Sequence, residues 1–380
     1  MNNETRKETQ VLPKDVRCVG ADDLTLSLFE NQYPVQPMGV SYNSYLILDE
    51  KIAVMDSVDA RAADEWLAKL AHELDGRSPD YLVISHMEPD HSGSILRLAE
   101  KYQEMKLVGN AKTFTMLRQF FGAKAPTDDH LLEVGEGETL PLGAHTLHFM
   151  LAPMVHWPEV MVAYEETEKI LFSADAFGRF GSLGRTANAP WAPQARRYYY
   201  NIVGKYGAQV QALLKKASAL EIKTVCPLHG PVLTGEALGE ALRLYDLWSR
   251  WQSESPDDIL LAHASIHGNT ARAAELFKQK LEAAGARVTL CDLTTTEVSY
   301  AVANAFYCGK LVLACSTYDG GLFPPMEEFL SHLQAKGFRS RTVGLIENGS
   351  WAPAAARLMR AKLEEMKDLR VCGTVVSLRS

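Results

Sequence analysis

The chain has 380 residues, a hydrophobic fraction of 47% and a formal net charge of −8 at pH 7, so we expect two or three domains with substantial cores. The acidic balance argues against nucleic acid as the main partner, because binding to phosphates requires a basic surface. Met1 to Gln10 contain no apolar core of a signal peptide, and no run in the chain approaches the about 18 apolar residues of a membrane span. None of the six cysteines forms a C-x-x-C pair, which excludes a zinc ribbon and gives no disulfide framework. We therefore expect a cytoplasmic protein with reduced thiols and no membrane partner.

The first two thirds of the chain alternate strands with sparse helices. The patterns predict a hairpin around Asp49 and Glu50 and an amphipathic helix over residues 61–74. Short apolar runs then predict strands at residues 81–85, 107–109, 145–151, 160–164, 170–173 and 224–226. This order is typical of two sheets packed face to face with helices outside.

A short polar stretch with a proline, residues 252–258, forms the strongest domain boundary. We predict domains at 1–253 and 257–380. The second domain alternates strands with helices, which predicts a doubly wound sheet of five parallel strands. The predicted strands are 259–262, 287–292, 310–314, 341–346 and 369–376, and the predicted helices are 270–284, 298–304, 325–335 and 352–367.

Potential metal ligands cluster in the loop after the predicted strand at 81–85. Further candidates stand near the ends of later strands, and imidazole with carboxylate is a ligand set of non-haem iron, manganese or zinc. Taken singly, each residue also fits an ordinary polar turn, but their density and order favour a metal site. The candidates are His86, Glu88, Asp90, His91, His156, Asp175 and His229.

This series resembles the metallo-β-lactamase superfamily, whose leading motif is H-x-H-x-D-H. Glu88 stands where that motif has its second histidine. The form H-x-E-x-D-H, followed by His156, Asp175 and His229, resembles the flavodiiron proteins. The resemblance covers nearly the whole chain, because those proteins join a metallo-β-lactamase-like αββα sandwich to a flavodoxin-like domain. The resemblance implies a fold of the α/β class, with an N-terminal αββα sandwich followed by a flavodoxin-like doubly wound sheet of five parallel strands.

The resemblance also implies a di-iron centre. A carboxylate at position 88 adds negative charge and a harder ligand than imidazole, which favours iron over zinc. One iron would be held by His86, Glu88 and His156, the other by Asp90, His91 and His229, and Asp175 would bridge the two.

Two nearby features depart from this ligand set. Family members often carry a histidine close to the site in the N-terminal region, whereas residues 28–33 contain none, so the surroundings of the metals are expected to differ here. His145 and His148 flank a predicted strand, and we expect them to be structural, satisfied by hydrogen bonds.

Three loops at the ends of predicted strands form a second candidate binding site. Small and hydroxyl residues before a helix make a phosphate cradle, which resembles the phosphate loop of flavodoxins, and two aromatic residues offer flat surfaces to a flavin. A flavodoxin-like domain without flavin stays an alternative, and the missing glycine-rich dinucleotide fingerprint argues against NAD. The predicted FMN contacts are Ser265, His267, Gly268, Asn269 and Thr270, then Ser316, Thr317, Tyr318, Asp319 and Gly320, then Asn348, Gly349, Ser350 and Trp351.

The flavodiiron resemblance implies two iron ions and FMN, and reduction of dioxygen to water, of nitric oxide to nitrous oxide, or of both. It implies rubredoxin or a similar small electron-transfer protein as the donor, and this donor is separate because no module with cysteine pairs is fused here. A head-to-tail homodimer, or a dimer of dimers, would bring the FMN of one subunit to the iron of the other. Two alternatives stay open: a zinc-dependent hydrolase of the same fold with an appended flavodoxin domain, and an electron-carrier flavoprotein whose metal domain is a scaffold.

Overall fold

The computed structural model describes residues 12–379, so the predicted polar stretch Met1 to Gln10 lies outside the described residues. The chain divides by compactness into one unit that runs to Tyr198 and includes Ala208–Arg243, and a second formed by Tyr199–Gly207 with the chain from Leu244 onward. The predicted domain limits, 1–253 and 257–380, stay a prediction. No helix in the described part of the chain is long and apolar enough to cross a bilayer.

The strands of the first unit are short, mostly two to six residues. They are β1 Val16–Cys18, β2 Ala21–Asp23, β3 Leu28–Phe29, β4 Tyr33–Pro34, β5 Val40–Tyr42, β6 Tyr45–Ile47, β7 Ala53–Met55, β8 Tyr81–Val83, β9 Lys106–Gly109, β10 Leu131–Glu133, β11 Thr139–Pro141, β12 Thr146–Leu151, β13 Met161–Glu165, β14 Ile170–Phe172, β15 Thr224–Cys226 and β16 Leu233–Thr234.

Eight α-helices accompany these strands in the described residues before position 250, together with shorter 3-10 turns and a π-helical segment at Tyr199–Val203. The α-helices are α1 Ala63–Leu74, α2 Pro89–Ser92, α3 Ile95–Lys101, α4 Ala111–Phe121, α5 Leu183–Thr186, α6 Trp191–Tyr198, α7 Gly207–Ala217 and α8 Gly235–Ser249.

Two six-stranded sheets organise the first unit. Their orders are β1-β6-β7-β8-β9-β10 and β11-β12-β13-β14-β15-β16. The predicted hairpin is the antiparallel pair β6 and β7, whereas β7, β8, β9 and β10 run parallel. Buried residues from both sheets form one apolar cluster, as expected for two sheets packed face to face, and they include Tyr45, Ile47, Met55, Val83, Phe149, Met161 and Phe172.

The second unit contains a five-stranded sheet of order β18-β17-β19-β21-β22, in which all neighbours pair in parallel. This is the 2-1-3-4-5 order of flavodoxin-like folds, and the short β20 adds to β19. Its elements are β17 Ser255–Ala264, α9 Asn269–Ala283, β18 Val288–Asp292, α10 Val298–Tyr307, β19 Cys308–Tyr318, β20 Gly321–Leu322, α11 Pro324–Ala335, β21 Thr342–Asn348, α12 Ala355–Glu364 and β22 Arg370–Leu378.

The predicted fold class is confirmed in both units, although several element boundaries differ by a few residues. The strand expected at 259–262 begins at Ser255, inside the stretch expected to be a linker. Its pairing with β19 shifts register between Ser255 and Ile259. The proline therefore lies at an irregular strand start, where a missing N–H donor is tolerated.

Candidate metal centre and flavin site

The loop that follows β8 is held by hydrogen bonds to its backbone. The Ser85 N–H donates to Asp56 Oδ1 at 2.7 Å, and the Ser57 hydroxyl donates to the carbonyl of His91 at 2.5 Å. Pro89 begins α2, where its fixed φ suits the first helical position. This short helix turns Asp90 and His91 towards the interior while Glu88 stays in the loop before it.

Four predicted ligands form a first donor group, in which the side chains of His86, Glu88, His156 and Asp175 converge. One carboxylate oxygen of Glu88 lies 3.3 Å from His86 Nε2 and 3.0 Å from His156 Nε2. The Oδ2 atom of Asp175 lies 3.0 Å from His156 Nε2. Two imidazoles and two carboxylates thus point at one small volume.

Asp90, His91 and His229 form a second donor group. The Nε2 atoms of His91 and His229 lie 3.0 Å apart, and each lies 3.2 Å from Asp90 Oδ2. Asp175 also reaches this group, because its Oδ1 atom lies 3.2 Å from His91 Nε2. One oxygen of Asp175 therefore faces each donor group.

Outer contacts fix the histidines that sequence reasoning placed in these groups. Glu159, which that reasoning missed, lies 2.7 Å from His86 Nδ1 and accepts from the Met87 N–H at 2.9 Å. The carbonyl of Ser41 lies 2.7 Å from His229 Nδ1. Each contact leaves Nε2 as the ring nitrogen that faces inward. The only available sequence signal for Glu159 was its position three residues after His156.

Hydrogen bonds from residues near β5 hold the loop that carries His229. Asn43 donates from its side chain to the carbonyls of Pro227 and Gly230, at 2.8 and 2.7 Å. The Ser41 hydroxyl accepts from the Gly230 N–H at 2.7 Å. Both residues belong to β5 or follow it directly, so the N-terminal strands hold a loop almost two hundred residues later in the sequence.

The buried charges of the two groups depend on each other. Burial opposes a charge on His156, but hydrogen bonds to Asp175 and Glu88 raise its pKa to about 9. Burial likewise opposes ionisation of Asp175, yet the neighbouring His91 and His156 hold the pKa of that carboxyl well below its usual value. The same balance lowers the pKa of Glu88, with His156 and His86 as partners. The carboxylates are therefore ionised, as metal ligands must be.

Buried oxygen atoms without hydrogen-bond partners among the described residues indicate that the donor groups bind metal ions. Both carboxylate oxygens of Asp90 and the Oδ1 atom of Asp175 are buried and make no hydrogen bond with residues 12–379. Buried carboxylate oxygens without donors are costly, and cations satisfy them. Two facing imidazole nitrogens of His91 and His229 offer further lone pairs to the same position. Four imidazoles and three carboxylates form a mixed set that suits iron.

A cavity of about 740 Å³ adjoins the donor groups. Phe29 occupies part of the stretch where the sequence has no histidine, and its ring lies 5.3 Å from that of His229. The neighbouring carboxyl of Glu30, also missed from the sequence, is exposed at the cavity mouth and stands against Glu88. Partial desolvation there and the negative charge of Glu88 raise the pKa of Glu30 to about 7. The cavity walls include Leu28, Glu30, Tyr42, Arg61, Asp90 and Trp157.

His145 and His148, expected to be structural, lie outside both donor groups. His145 is buried, with Nδ1 3.0 Å from Glu165, and His148 pairs with Glu166 at 2.7 Å. Each imidazole therefore has a carboxylate of its own near β12 and β13.

The three loops predicted to bind FMN come together at the carboxyl ends of β17, β19 and β21. Thr270 is their meeting point, because its hydroxyl lies 2.7 Å from that of Ser316 and accepts from the Asn348 amide at 3.2 Å. Gly268 precedes α9 with φ 87°, a conformation that favours glycine. The Ser265 hydroxyl accepts a hydrogen bond from the Gly268 N–H at 3.1 Å. The N-terminus of the fifteen-residue helix α9 thus opens beside buried hydroxyl groups.

Three of the remaining predicted flavin contacts differ in how free their side chains are. Tyr318 and Trp351 are 44% and 84% exposed, so their rings are available to a ligand at the surface. The hydroxyl of Thr317, in contrast, accepts from the N–H groups of Ala354 and Ala355 at 3.0 and 3.2 Å. It caps the start of α12, which leaves the backbone of Thr317 as the part able to meet a flavin.

The fold and the donor groups define a metallo-β-lactamase-like metal domain followed by a flavodoxin-like domain. Residues 40–230 match the family model described as "ODP family beta lactamase", and the chain belongs to that family. The resemblance to flavodiiron proteins is confirmed by the flavodiiron protein of Giardia intestinalis, whose crystal structure has a TM-score of 0.87 with this chain at 26% identity. That similarity covers 96% of this chain and 92% of the other.

Named relatives extend the comparison. A rubredoxin-oxygen oxidoreductase of Megalodesulfovibrio gigas is 27% identical over 92% of this chain and 87% of its own length. An anaerobic nitric oxide reductase flavorubredoxin of Vibrio vulnificus is 26% identical over 92% of this chain and 72% of its own. Against a putative diflavin flavoprotein of Nostoc, the chain spans little more than half of the relative's length, 56%.

Proposed function

We propose that this protein is a flavodiiron oxidoreductase that reduces dioxygen to water, nitric oxide to nitrous oxide, or both. The observation that carries the proposal is the pair of donor groups sharing Asp175, whose two oxygens face His156 and His91 respectively. The relatives named for oxygen and nitric oxide reduction support the same reaction. The flavodoxin-like domain on the same chain supports FMN as the entry point for electrons.

We assign one iron to His86, Glu88 and His156, the other to Asp90, His91 and His229, and the bridge to Asp175. The proximity of the donor atoms within each group supports this division. We assign FMN to the loops that meet at Thr270, with its phosphate at the N-terminus of α9.

When bound, the di-iron centre supplies the electrons that reduce the gas, and FMN supplies electrons to that centre. The protein's own groups make this possible by holding position. Glu159 and the carbonyl of Ser41 orient the imidazoles of His86 and His229. Leu28, Phe29 and Trp157 give the cavity apolar walls, which limit the access of water and suit small uncharged gases.

An external electron donor, the subunit arrangement and the location complete the proposal. The names of the relatives, a rubredoxin-oxygen oxidoreductase and a flavorubredoxin, support rubredoxin or a similar small protein as donor. We propose a head-to-tail homodimer, alone or as a dimer of dimers, in which electrons cross between subunits. A cytoplasmic location agrees with the cysteines, all of which are free thiols.

The deciding experiment loads purified protein anaerobically with ferrous iron and FMN and reduces it with one donor. Oxygen and nitric oxide electrodes then measure consumption of each gas, and the ratio of the two rates gives the preference. We expect two iron ions per chain and turnover with at least one gas. Two zinc ions together with hydrolytic turnover would instead identify a hydrolase.

Asp175→Asn separates a working metal centre from a scaffold. The amide keeps the size of the side chain but removes the charge that both donor groups share, so we expect gas reduction to fall by at least about a hundredfold. The FMN content should stay unchanged because Asp175 lies in the other unit. Full gas reduction by this variant would mean that the metal domain is only a scaffold.

A further inference from the structure

Tyr42 is a wall residue of the cavity that belongs to no donor group. It ends β5 and is fully buried, and its ring lies 6.2 Å from the ring of His229. The same cavity is lined by Glu88 and Asp90. Its phenol is therefore a polar group placed beside the proposed iron ligands without being one of them.

The orientation of the Tyr42 hydroxyl is set by Arg61. The Nη2 atom of Arg61 donates to the phenol oxygen at 3.1 Å, and the guanidinium is itself held by Asp59, with Nε and Nη2 both 2.9 Å from its carboxylate oxygens. A guanidinium can only donate, so the phenol oxygen is the acceptor and its own proton points elsewhere.

No group among residues 12–379 accepts the proton of the Tyr42 hydroxyl. The carboxylate oxygens of Asp90, on the same cavity wall, make no hydrogen bond with the described residues. Burial and the negative charge of Asp59 hold the pKa of Tyr42 well above its usual value, so the hydroxyl keeps its proton. An oriented donor without a protein acceptor thus faces a cavity.

We propose that Tyr42, positioned by Arg61, donates a hydrogen bond to the small molecule that binds in this cavity. The inference rests on the proposed function. Dioxygen and nitric oxide both gain negative charge on their outer atom as they are reduced, and a fixed neutral donor stabilises such charge without having to reorganise. Arg61 strengthens the donor because its positive charge withdraws electron density from the phenol oxygen.

Tyr42→Phe tests the proposal with azide as the probe. The variant keeps the ring against His229 and removes only the hydroxyl. With oxidised, iron-loaded protein, an optical titration should give an azide Kd about tenfold higher than that of the wild type, the value of one hydrogen bond. Gas reduction should lose a similar factor in kcat/KM while iron content stays at the wild-type level. Tyr164→Phe, which removes a hydroxyl bonded to the carbonyl of Glu221 at 2.9 Å, should change neither.

A second pair of variants tests the same role of Tyr42 if the Tyr42→Phe protein does not bind iron. Arg61→Met leaves the Tyr42 phenol in place but removes the hydrogen bond that orients it. We expect azide to bind about threefold more weakly to this variant. Arg61→Lys, which restores a donor, should recover part of the loss. Azide affinity within a factor of 1.5 of the wild type in every iron-loaded variant would overturn the role of Tyr42. Wild-type protein that takes up no iron would instead overturn the proposed function.

Discussion

Two buried glutamates each hold a histidine, but only one of these pairs adjoins a donor group. Glu159 lies 2.7 Å from His86 Nδ1, and Glu165 lies 3.0 Å from His145 Nδ1. Both glutamates are almost fully buried. The pairs are similar in geometry and differ in position, which makes them a matched comparison.

We predict that Glu159→Gln lowers the affinity for ferrous iron by about 10- to 100-fold, because residues that orient a ligand histidine have effects of this size. Anaerobic titration with iron against a competing chelator measures the change. Glu165→Gln is the control, and it should leave the affinity within twofold of the wild type even where it lowers stability. Equal losses in both variants would show that general destabilisation is the cause.

Iron binding should also depend on pH through His156. Its pKa is raised to about 9 in the metal-free protein, and a histidine must lose its proton to bind a metal. Below that pH the metal has to displace a proton from His156. The pKa values of His86 and His91 are raised as well, so the affinity should rise with pH by at least about tenfold per unit between pH 6 and 8. A chelator competition corrected for the protonation of the chelator measures this slope. An affinity that stays constant from pH 6 to 8 would contradict the prediction.

At the scale of elements, three loop ends meet at Thr270 in the flavodoxin-like unit. Thr270→Val keeps the shape of the side chain but breaks the contacts with Ser316 and Asn348. We predict that the Kd for FMN rises about tenfold, the value of one or two hydrogen bonds. Quenching of flavin fluorescence measures it. Thr289→Val, at an exposed position of β18, is the control and should bind FMN normally.

A buried arginine joins other element ends of the same unit. Arg341 donates to the carbonyls of Trp251, Phe306 and Cys308 at 2.7 to 2.8 Å. These carbonyls follow α8, lie within α10 and start β19. A single cation, which has no carboxylate partner among residues 12–379, thus satisfies acceptors that secondary structure leaves open.

We predict that Arg341→Met lowers the free energy of unfolding of this unit by about 3 kcal/mol, because buried carbonyls lose their donors. Denaturant titration of the full chain, followed by FMN release, reports on this transition. Arg287→Met is the control, since the guanidinium of Arg287 is exposed and ion pairs at the surface contribute little. A midpoint for Arg341→Met equal to that of the control would rule out this role for Arg341.

At the scale of the whole molecule, the proposed head-to-tail dimer predicts complementation. One variant has an impaired metal centre through Asp175→Asn. The other carries Thr270→Val and holds little FMN when the FMN concentration is kept well below its Kd. Mixing them after subunit exchange should restore gas reduction, because each mixed dimer pairs one intact metal site with one intact flavin site. The rate per chain should approach about a quarter of the wild-type rate for a statistical mixture. Mixtures no more active than the separate variants would indicate transfer within one subunit.

The sequence was most informative where chemistry and periodicity agree. The strands of the second unit alternate with helices over its whole length, so their order and the meeting of three loops followed from general rules for parallel sheets. The ligand residues were visible because histidine and carboxylate recur at strand ends in a known order. Helices such as α4 and α7 were not predicted, because each spans only about three turns and a short helix depends on the surface against which it packs.

The sequence by itself determined the two fold classes, the candidate ligands and the replacement of histidine by Glu88, because residue types and local spacing carry that information. The tertiary structure decided which side chains act around them. Glu30, Tyr42 and Arg61 come from separate parts of the chain, and only long-range packing brings each to the cavity. Long-range packing likewise places Glu159 against His86. The division of the ligands, implied by resemblance, gained its geometric support from the two oxygens of Asp175. The sequence cannot predict which group each oxygen of a carboxylate contacts, because that depends on where distant residues lie in the folded chain.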